Sequence, residues 1–148
     1  MAPGVIRRGS IVLVKYPYTD LENGFPEYRR SGDGLHHFTD LSVLSVHNKL
    51  RPALILTSDF LLQRLDDAIF LFISSVIPDV VLPSDYILTT DHPSFSATGL
   101  KRSSIFRAHK IITLHKTMAA CTPGDADVTL MRQITHCLAR ALGMQRHE

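Results

Sequence analysis

The apolar residues of this chain come in short runs, and this segmentation constrains the fold more than any other feature. Each run is rich in β-branched or aromatic residues and is bounded by turn-forming residues, a composition typical of strands. The runs are GSIVLVKYPYTD (residues 9–20), RPALILTS (51–58), AIFLFISS (68–75), DVVLPSDYILTT (79–90) and SSIFRAHKIITL (103–114). They are not separated by helices long enough for parallel crossovers, and no glycine-rich phosphate loop is present, so the pattern does not favour a parallel βαβ fold.

Local signals refine these strand predictions. The first strand is expected to stop near Pro17, and the fourth run is expected to give one or two short strands broken at Pro83. Segment 58–67 is predicted to form one or two helical turns with Ser58 as the N-cap. The run AIFLFISS is continuously apolar, which indicates a strand buried on both faces.

The segment CTPGDADVTLMRQITHCLARALGM (121–144) has the period of an amphipathic helix. Thr122 is placed to cap it, Pro123 takes a first-turn position, Asp125 completes a capping-box spacing, and Gly143 is the expected end. Its predicted apolar stripe comprises Val128, Met131, Ile134, Leu138 and Leu142. The expected class is therefore mainly β with α, a small and strongly curved antiparallel sheet or barrel with a C-terminal helix.

Composition limits the class of protein. A length of 148 residues with 45% hydrophobic content suits one globular domain over residues 1–148. The net charge of +2 is too small to argue for nucleic acid by itself. Cys121 and Cys137 make neither a disulfide framework nor a zinc pattern, and Cys137 is expected to pack as a small buried thiol. Without a signal-peptide core or a membrane-length apolar run, we expect a cytoplasmic protein with no membrane association.

One long irregular stretch, at about residues 21–50, interrupts the series of strands. It contains three glycines, a proline, three histidines and the adjacent Arg29 and Arg30. A connection of this length in a small domain indicates either function or disorder.

Polar side chains stand where the predicted strands end. Arg51 precedes a proline, so it is expected to be extended at the mouth of the second strand, either as a solvated cation or as an anion-binding group. Ser74 and Ser75 end the third strand and are either turn formers or hydrogen-bond donors to a ligand. Arg107 and His109 are two residues apart on a strand, so they point to one face, which is either an edge exposed to solvent or part of a site.

Four segments together resemble a known family. GSIVLVKYPYTDL, RPALILTS, AIFLFISS and TGLKRSSIFRAHKIITLHKTM occur in this order. They are similar to the MazF/PemK toxin endoribonucleases of type II toxin–antitoxin systems, and the similarity covers nearly the whole chain outside 21–50. The resemblance implies an SH3-like barrel of the CcdB/PemK type and a homodimer with a MazE/PemI-like antitoxin. It also implies metal-independent, sequence-specific cleavage of single-stranded RNA to 2′,3′-cyclic phosphate and 5′-hydroxyl ends, without a cofactor.

The resemblance also assigns residues. The catalytic arginine of the family matches Arg51, its catalytic threonine matches Ser74, and the arginine of its R-x-D motif matches Arg107. The aspartate of that motif falls on His109, which either retains acid–base capacity or marks a slow or inactive variant.

RNA-binding residues are expected beside these catalytic positions. They are Ser75, Lys101 and Arg102, together with Arg29 and Arg30 of the insert. The alternative for the charged residues among them is that they are solvated side chains on the surface. The insert itself is either a disordered excursion or an RNA-contacting lid or dimer-exchange arm.

Two alternatives to a ribonuclease stay open. The first is a non-catalytic toxin of the same fold that binds gyrase as CcdB does, although the chain ends in ALGMQRHE, without an aromatic residue. The second is a degenerate toxin that only binds antitoxin or RNA, which His109 and the long insert would suit.

Overall fold

The structure is a computed structural model that describes residues 5–19 and 46–144, with side chains for 5–15 and 50–144. Two compact units divide the chain. One comprises residues 1–15 and 50–148, and the other comprises residues 16–49, of which only the strand ends 16–19 and 46–49 are described. The expectation of a single domain with an insert at about 21–50 stays a prediction. Residues 21–45 of that insert, including Arg29 and Arg30, lie outside the described residues.

The described residues form a six-stranded sheet and two helices. The order of strands across the sheet is β4-β5-β3-β2-β1-β6, and the described pairs are antiparallel. This confirms the expected class, an antiparallel sheet with a C-terminal helix. The strands are β1 (Ser10–Thr19), β2 (Val46–Ile55), β3 (Asp67–Ser74), β4 (Asp85–Leu88), β5 (Ser104–His115) and β6 (Ala119–Asp125), and the helices are α1 (Asp59–Leu62) and α2 (Val128–Ala141).

Both faces of the central strands carry buried residues, as the continuous apolar run AIFLFISS predicted for β3. Alternate residues of the sheet pack with α2 in one core cluster, which includes Leu54, Leu71, Ile73, Phe106, Leu130, Ile134 and Cys137. The residues between them, among them Ala53, Ile55, Phe70 and Ile105, are also fully buried. Because side chains alternate along a strand, this second set lies on the face opposite α2.

Strand β5 has a bulge in its middle. Ile111 pairs with Leu71 of β3, but Phe106 pairs with Ile73, so residues 107–110 of β5 lie opposite Phe72 alone. Such a bulge redirects a strand and changes the aim of its side chains. Here it releases the middle of β5 from β3, while its first residues stay paired with β4.

The predicted start of the C-terminal helix is wrong. Residues 119–125 form β6, in which Gly124 pairs with Ile11 of β1, and α2 begins at Val128 with Asp127 as its N-cap. Gly124 is required there, since an added Cβ would lie 2.3 Å from the carbonyl oxygen of Ala97. The sequence Thr-Pro-Gly-Asp imitates a helix start, but long-range pairing with β1 extends it instead.

The rest of the helix prediction is mostly confirmed. Met131, Ile134 and Leu138 pack against the core and Cys137 is buried, whereas Val128 and Leu142 are exposed. Gly143 ends the helix with a φ of 68°. The short helix capped by Ser58 is present, since the Ser58 hydroxyl accepts a hydrogen bond from the N–H of Leu61.

The end of β1 differs from the prediction, whereas the run 79–90 gives one short strand after Pro83, which is one of the two expected outcomes. β1 includes Pro17 and ends at Thr19, which is compatible with a strand where pairing does not need the missing N–H. Residues 79–84 form no strand, because the N–H of Asp85 bonds to the carbonyl oxygen of Leu82 at 2.9 Å and closes a turn with Pro83 as its second residue.

Candidate active site

Arg51 and Ser74 lie on the same face of two neighbouring strands. The last described pair between β2 and β3 joins Ala53 to Phe72, and Arg51 and Ser74 are each two residues further along. Period-two alternation therefore places both on the face opposite α2. β2 begins at Val46, so Arg51 lies within the strand and not at its mouth as predicted, because residues 46–50 extend the strand without a recognisable period. Arg51 is exposed and Ser74 is half-buried.

Strand β5 adds Arg107 to this face. Ser74 pairs with Ile105, and Arg107 is two residues further along β5. Since Ile105 faces away from α2, alternation along β5 places Arg107 on the same face as Ser74. The Ser74 hydroxyl accepts a hydrogen bond from the N–H of Val76 at 3.1 Å, which leaves its own proton available for donation. Ser75 is exposed just beyond. The structure thus brings Arg51, Ser74 and Arg107 to one face from three adjacent strands.

Arg107 and His109 both approach a carboxylate that the sequence analysis missed. Asp85 pairs with Arg107 in the register of β4 and β5. Nε of Arg107 donates to Oδ1 of Asp85 at 3.2 Å, and Nδ1 of His109 lies 3.9 Å from the same oxygen. The Asp85 side chain is 0% exposed, against 24% for Arg107 and 36% for His109. The two basic side chains therefore lie between a buried carboxylate and solvent.

The turn before β4 fixes this carboxylate. Oδ2 of Asp85 accepts a hydrogen bond from the N–H of Leu82 at 2.8 Å. From the α2 side, the thiol of Cys137 donates to the carbonyl oxygen of Asp85, and Nη1 of Arg140 donates to that of Pro83. Burial raises the pKa of the Cys137 thiol, which keeps its proton available for this contact. No local motif signals the Asp85–Arg107 pair, because it arises from strand register.

Lys101 and Arg102 lie just before β5 and are exposed. Their loop leaves Gly99, which has a φ of 70° and approaches Pro123 so closely that an added Cβ would lie 2.5 Å from the Pro123 carbonyl oxygen. The Ser104 hydroxyl donates to the carbonyl oxygen of Arg102 at 2.8 Å. These contacts hold two cations at the end of β5 that pairs with Ser74.

Within residues 5–19 and 46–144, no group of three histidine, cysteine, aspartate or glutamate side chains is arranged to hold a metal ion. None of the helices described is long and apolar enough to cross a membrane.

Comparison with known proteins decides the family. A family model of PemK-like, MazF-like toxins of type II toxin–antitoxin systems matches residues 7–142. The chain belongs to this family. The match spans the strands and the helix that form the candidate site, and it confirms the resemblance expected from the four sequence segments.

Solved structures share the fold of this PemK/MazF family member. A mycobacterial endoribonuclease in complex with its cognate antitoxin has a TM-score of 0.59 and 17% identity, with 96% of this chain and 99% of that chain covered. MazE-MazF from Deinococcus radiodurans has a TM-score of 0.62 and 15% identity, with 96% of this chain and 99% of that chain covered. Mycobacterium tuberculosis toxin MazF-mt6 has a TM-score of 0.56 and 16% identity, with 66% of this chain and 91% of that chain covered. Comparison with curated protein sequences gives no match. At these identities the structural likeness concerns the fold.

Proposed function

We propose that this PemK/MazF family member is a toxin that cleaves single-stranded RNA at a short sequence without a metal ion. The observation that carries the proposal is the convergence of Arg51, Ser74 and Arg107 from three adjacent strands on one face. The solved structures of the same fold that are named endoribonucleases support it. In this proposal the protein acts in the cytoplasm on messenger RNA.

The proposed reaction is an attack of the ribose 2′-oxygen on the adjacent phosphorus. The 2′-hydroxyl loses its proton to a base, the new P–O2′ bond forms, and the P–O5′ bond breaks as an acid protonates the leaving 5′-oxygen. The products are a 2′,3′-cyclic phosphate and a 5′-hydroxyl, and the balance requires no oxidant or co-reactant. Two functions are therefore needed from the protein: proton transfer, and stabilisation of the charge on the phosphorane.

The residues of the site suit these two functions. Arg51 and Arg107 carry planar guanidinium groups that bind phosphate oxygens through paired N–H donors. Ser74 donates its hydroxyl proton to a non-bridging oxygen, as a donor does in an oxyanion hole. His109 is the proton-transfer group of the set, because imidazole exchanges protons near neutral pH.

The exposed cations of the same region suit an acidic partner as well as RNA. Lys101 and Arg102 lie beside the strands that carry the proposed catalytic residues and contact the RNA backbone in this proposal. Two of the similar structures are toxins in complex with an antitoxin. We therefore propose that this protein is a homodimer, inhibited by a cognate MazE/PemI-like antitoxin whose acidic segment covers this face.

The test is cleavage of a long single-stranded RNA by purified protein in the presence of EDTA. Discrete cuts that carry cyclic phosphate ends are expected, and added antitoxin should abolish them. Arg51→Ala should lower the rate by a factor of about 10² to 10³, as the loss of an oxyanion donor does. The matched control is Arg132→Ala, which removes an exposed arginine from α2. Intact RNA from folded, antitoxin-free dimer would refute the ribonuclease and favour a gyrase-binding or antitoxin-binding protein.

A further inference from the structure

We propose that Asp85 is a positioning residue of this site, which orients the guanidinium group of Arg107 toward the RNA phosphate. The inference rests on the proposed ribonuclease function and assigns a role to a strand, β4, that supplies none of the residues predicted from the sequence. It follows from the burial, the hydrogen bonds and the register of Asp85.

The burial of the Asp85 carboxylate indicates that its contacts are specific. Its side chain is fully buried, and an ionised carboxylate in that environment requires partners for both oxygens. Oδ2 has the N–H of Leu82, and Oδ1 has Nε of Arg107. The hydrogen bond from Leu82 alone could close the turn before β4, so the contact with Arg107 needs a separate explanation.

The contact with Asp85 uses only one of the three guanidinium nitrogens. Among the described residues, Nη1 and Nη2 of Arg107 have no hydrogen-bond partner in the structure. With Nε held from behind, these two nitrogens are the outward edge of a planar donor group that fits two phosphate oxygens. The carboxylate thus fixes the plane of the guanidinium group in the orientation that the charged phosphate of the transition state requires.

His109 belongs to the same arrangement. Its Nδ1 lies 3.9 Å from Oδ1 of Asp85, longer than a hydrogen bond but close enough for an ion pair when the imidazole is protonated. The bulge of β5 opposite Phe72 permits this geometry, because it turns residues 107–110 away from β3 while β4 stays paired. One buried carboxylate therefore serves two side chains of the site.

The decisive variant is Asp85→Asn, which keeps the shape of the side chain. The amide oxygen of this asparagine can still accept the hydrogen bond from the N–H of Leu82, so the turn is kept. Its NH₂ group would then face the Nε–H of Arg107, and because both groups are donors, the contact with Arg107 is lost. We expect kcat to fall by roughly 10- to 100-fold with little change in KM, as for outer-shell partners of catalytic groups. Asp79→Asn, which removes an exposed carboxylate from the same connection, should keep the wild-type rate.

A double-mutant cycle separates positioning from a merely structural role. If Asp85 acts through Arg107, Asp85→Asn should cost almost nothing further in an Arg107→Met background. Additive losses, or an unchanged kcat for folded Asp85→Asn, would overturn the proposal.

A spectroscopic measurement decides the case even if the protein does not cleave RNA. In the wild-type protein, the Nε–H of Arg107 should exchange with water much more slowly than that of the exposed Arg132, and Asp85→Asn should remove this protection. If the wild-type protein leaves RNA intact but shows this protection, the proposed function fails while the assignment of Asp85 to Arg107 stands. Equal exchange at Arg107 and Arg132 in the wild-type protein overturns the assignment, including in the case that Asp85→Asn does not fold.

Discussion

Asp85, the first residue of β4, and Asp127, the N-cap of α2, each make a local hydrogen bond with the backbone in two regions of the molecule. Each carboxylate accepts a backbone N–H three residues away at 2.8 Å, from Leu82 in the first case and from Leu130 in the second. Asp127 is exposed, whereas the Asp85 side chain is fully buried and also pairs with Arg107. Leu82 precedes Asp85 in the sequence and Leu130 follows Asp127, so both bonds are local, but the surroundings of the two carboxylates differ.

This contrast separates a carboxylate that stabilises only a helix end from one that also belongs to the candidate site. Asp127 accepts hydrogen bonds from nearby groups and remains exposed to water, where its charge is stable without an ionic partner. Burial of Asp85 removes water from its charge, which costs desolvation free energy. The register of β4 and β5 places the guanidinium group of Arg107 where it can offset this cost. We therefore expect changes around Asp85 to affect the reaction and changes around Asp127 to affect only folding.

The largest effect is expected from Arg107→Met, which keeps the apolar stem and removes the guanidinium group. Cleavage should fall by a factor of about 10² to 10³, because a donor to the transition-state phosphate is lost. The buried carboxylate of Asp85 also loses a partner, which should cost about 1–3 kcal/mol of stability. Single-turnover cleavage rates and urea denaturation measure the two effects.

Arg132→Met is the control for that variant, since it makes the same change on the exposed face of α2. A wild-type rate in Arg107→Met would contradict the expected role of the Asp85 region, whatever its effect on stability.

The corresponding change on the other side of the comparison is Asp127→Ala. It removes the cap of α2 and should lower the free energy of unfolding by about 1 kcal/mol. Cleavage measured well below the thermal transition should be unchanged, because α2 packs on the face opposite Arg51 and Ser74. Asp127→Asn keeps a good cap and should restore most of the stability. Loss of activity in folded Asp127→Ala would remove the distinction between the two carboxylates.

A smaller effect is expected from acid. The N–H of Leu130, with a further hydrogen bond from Ser94, lowers the pKa of Asp127 below its ordinary value. A carboxyl group whose pKa is lower in the folded state contributes stability above its unfolded pKa, about 3.9, and this stability is lost as the pH falls through the folded pKa. The stability difference between the wild-type protein and Asp127→Asn should therefore shrink below about pH 4.

Urea denaturation of both proteins between pH 7 and pH 2 measures that difference. A difference that stays constant over this range would show that the charge of Asp127 contributes nothing beyond the hydrogen bond of a neutral cap.

The same comparison shows what the sequence could predict. Strand composition correctly predicted the class of fold, and the four family-like segments predicted the family. Local chemistry found the cap of Ser58 but misplaced the start of α2 by preferring Thr122 to Asp127. The misleading stretch has good helix-start residues, and only its pairing with β1, more than a hundred residues earlier, makes it a strand.

The sequence named candidate residues for the site, but it could not predict their arrangement. Arg51, Ser74 and Arg107 were indicated by the family-like segments, and alternation alone put Arg107 and His109 on one face. Asp85 could not be found in this way, because its partner is set by the register of β4 on β5 and by the bulge that turns β5. Local sequence encodes neither feature, since both depend on how distant strands pack.

The smallest effect is expected at Arg140, which joins the two regions of the comparison. This arginine lies in the last turn of the helix that Asp127 caps, and its Nη1 donates to the carbonyl oxygen of Pro83 in the turn before Asp85. The contact is exposed, so Arg140→Met should cost only about 0.5 kcal/mol, with kcat changed less than about twofold. The two ends of the 14-residue helix are about 20 Å apart, so the losses in Arg140→Met and Asp127→Ala should add in the double variant. Urea denaturation of the four proteins tests this, and a clear departure from additivity would mean that α2 couples its cap to the Asp85 turn.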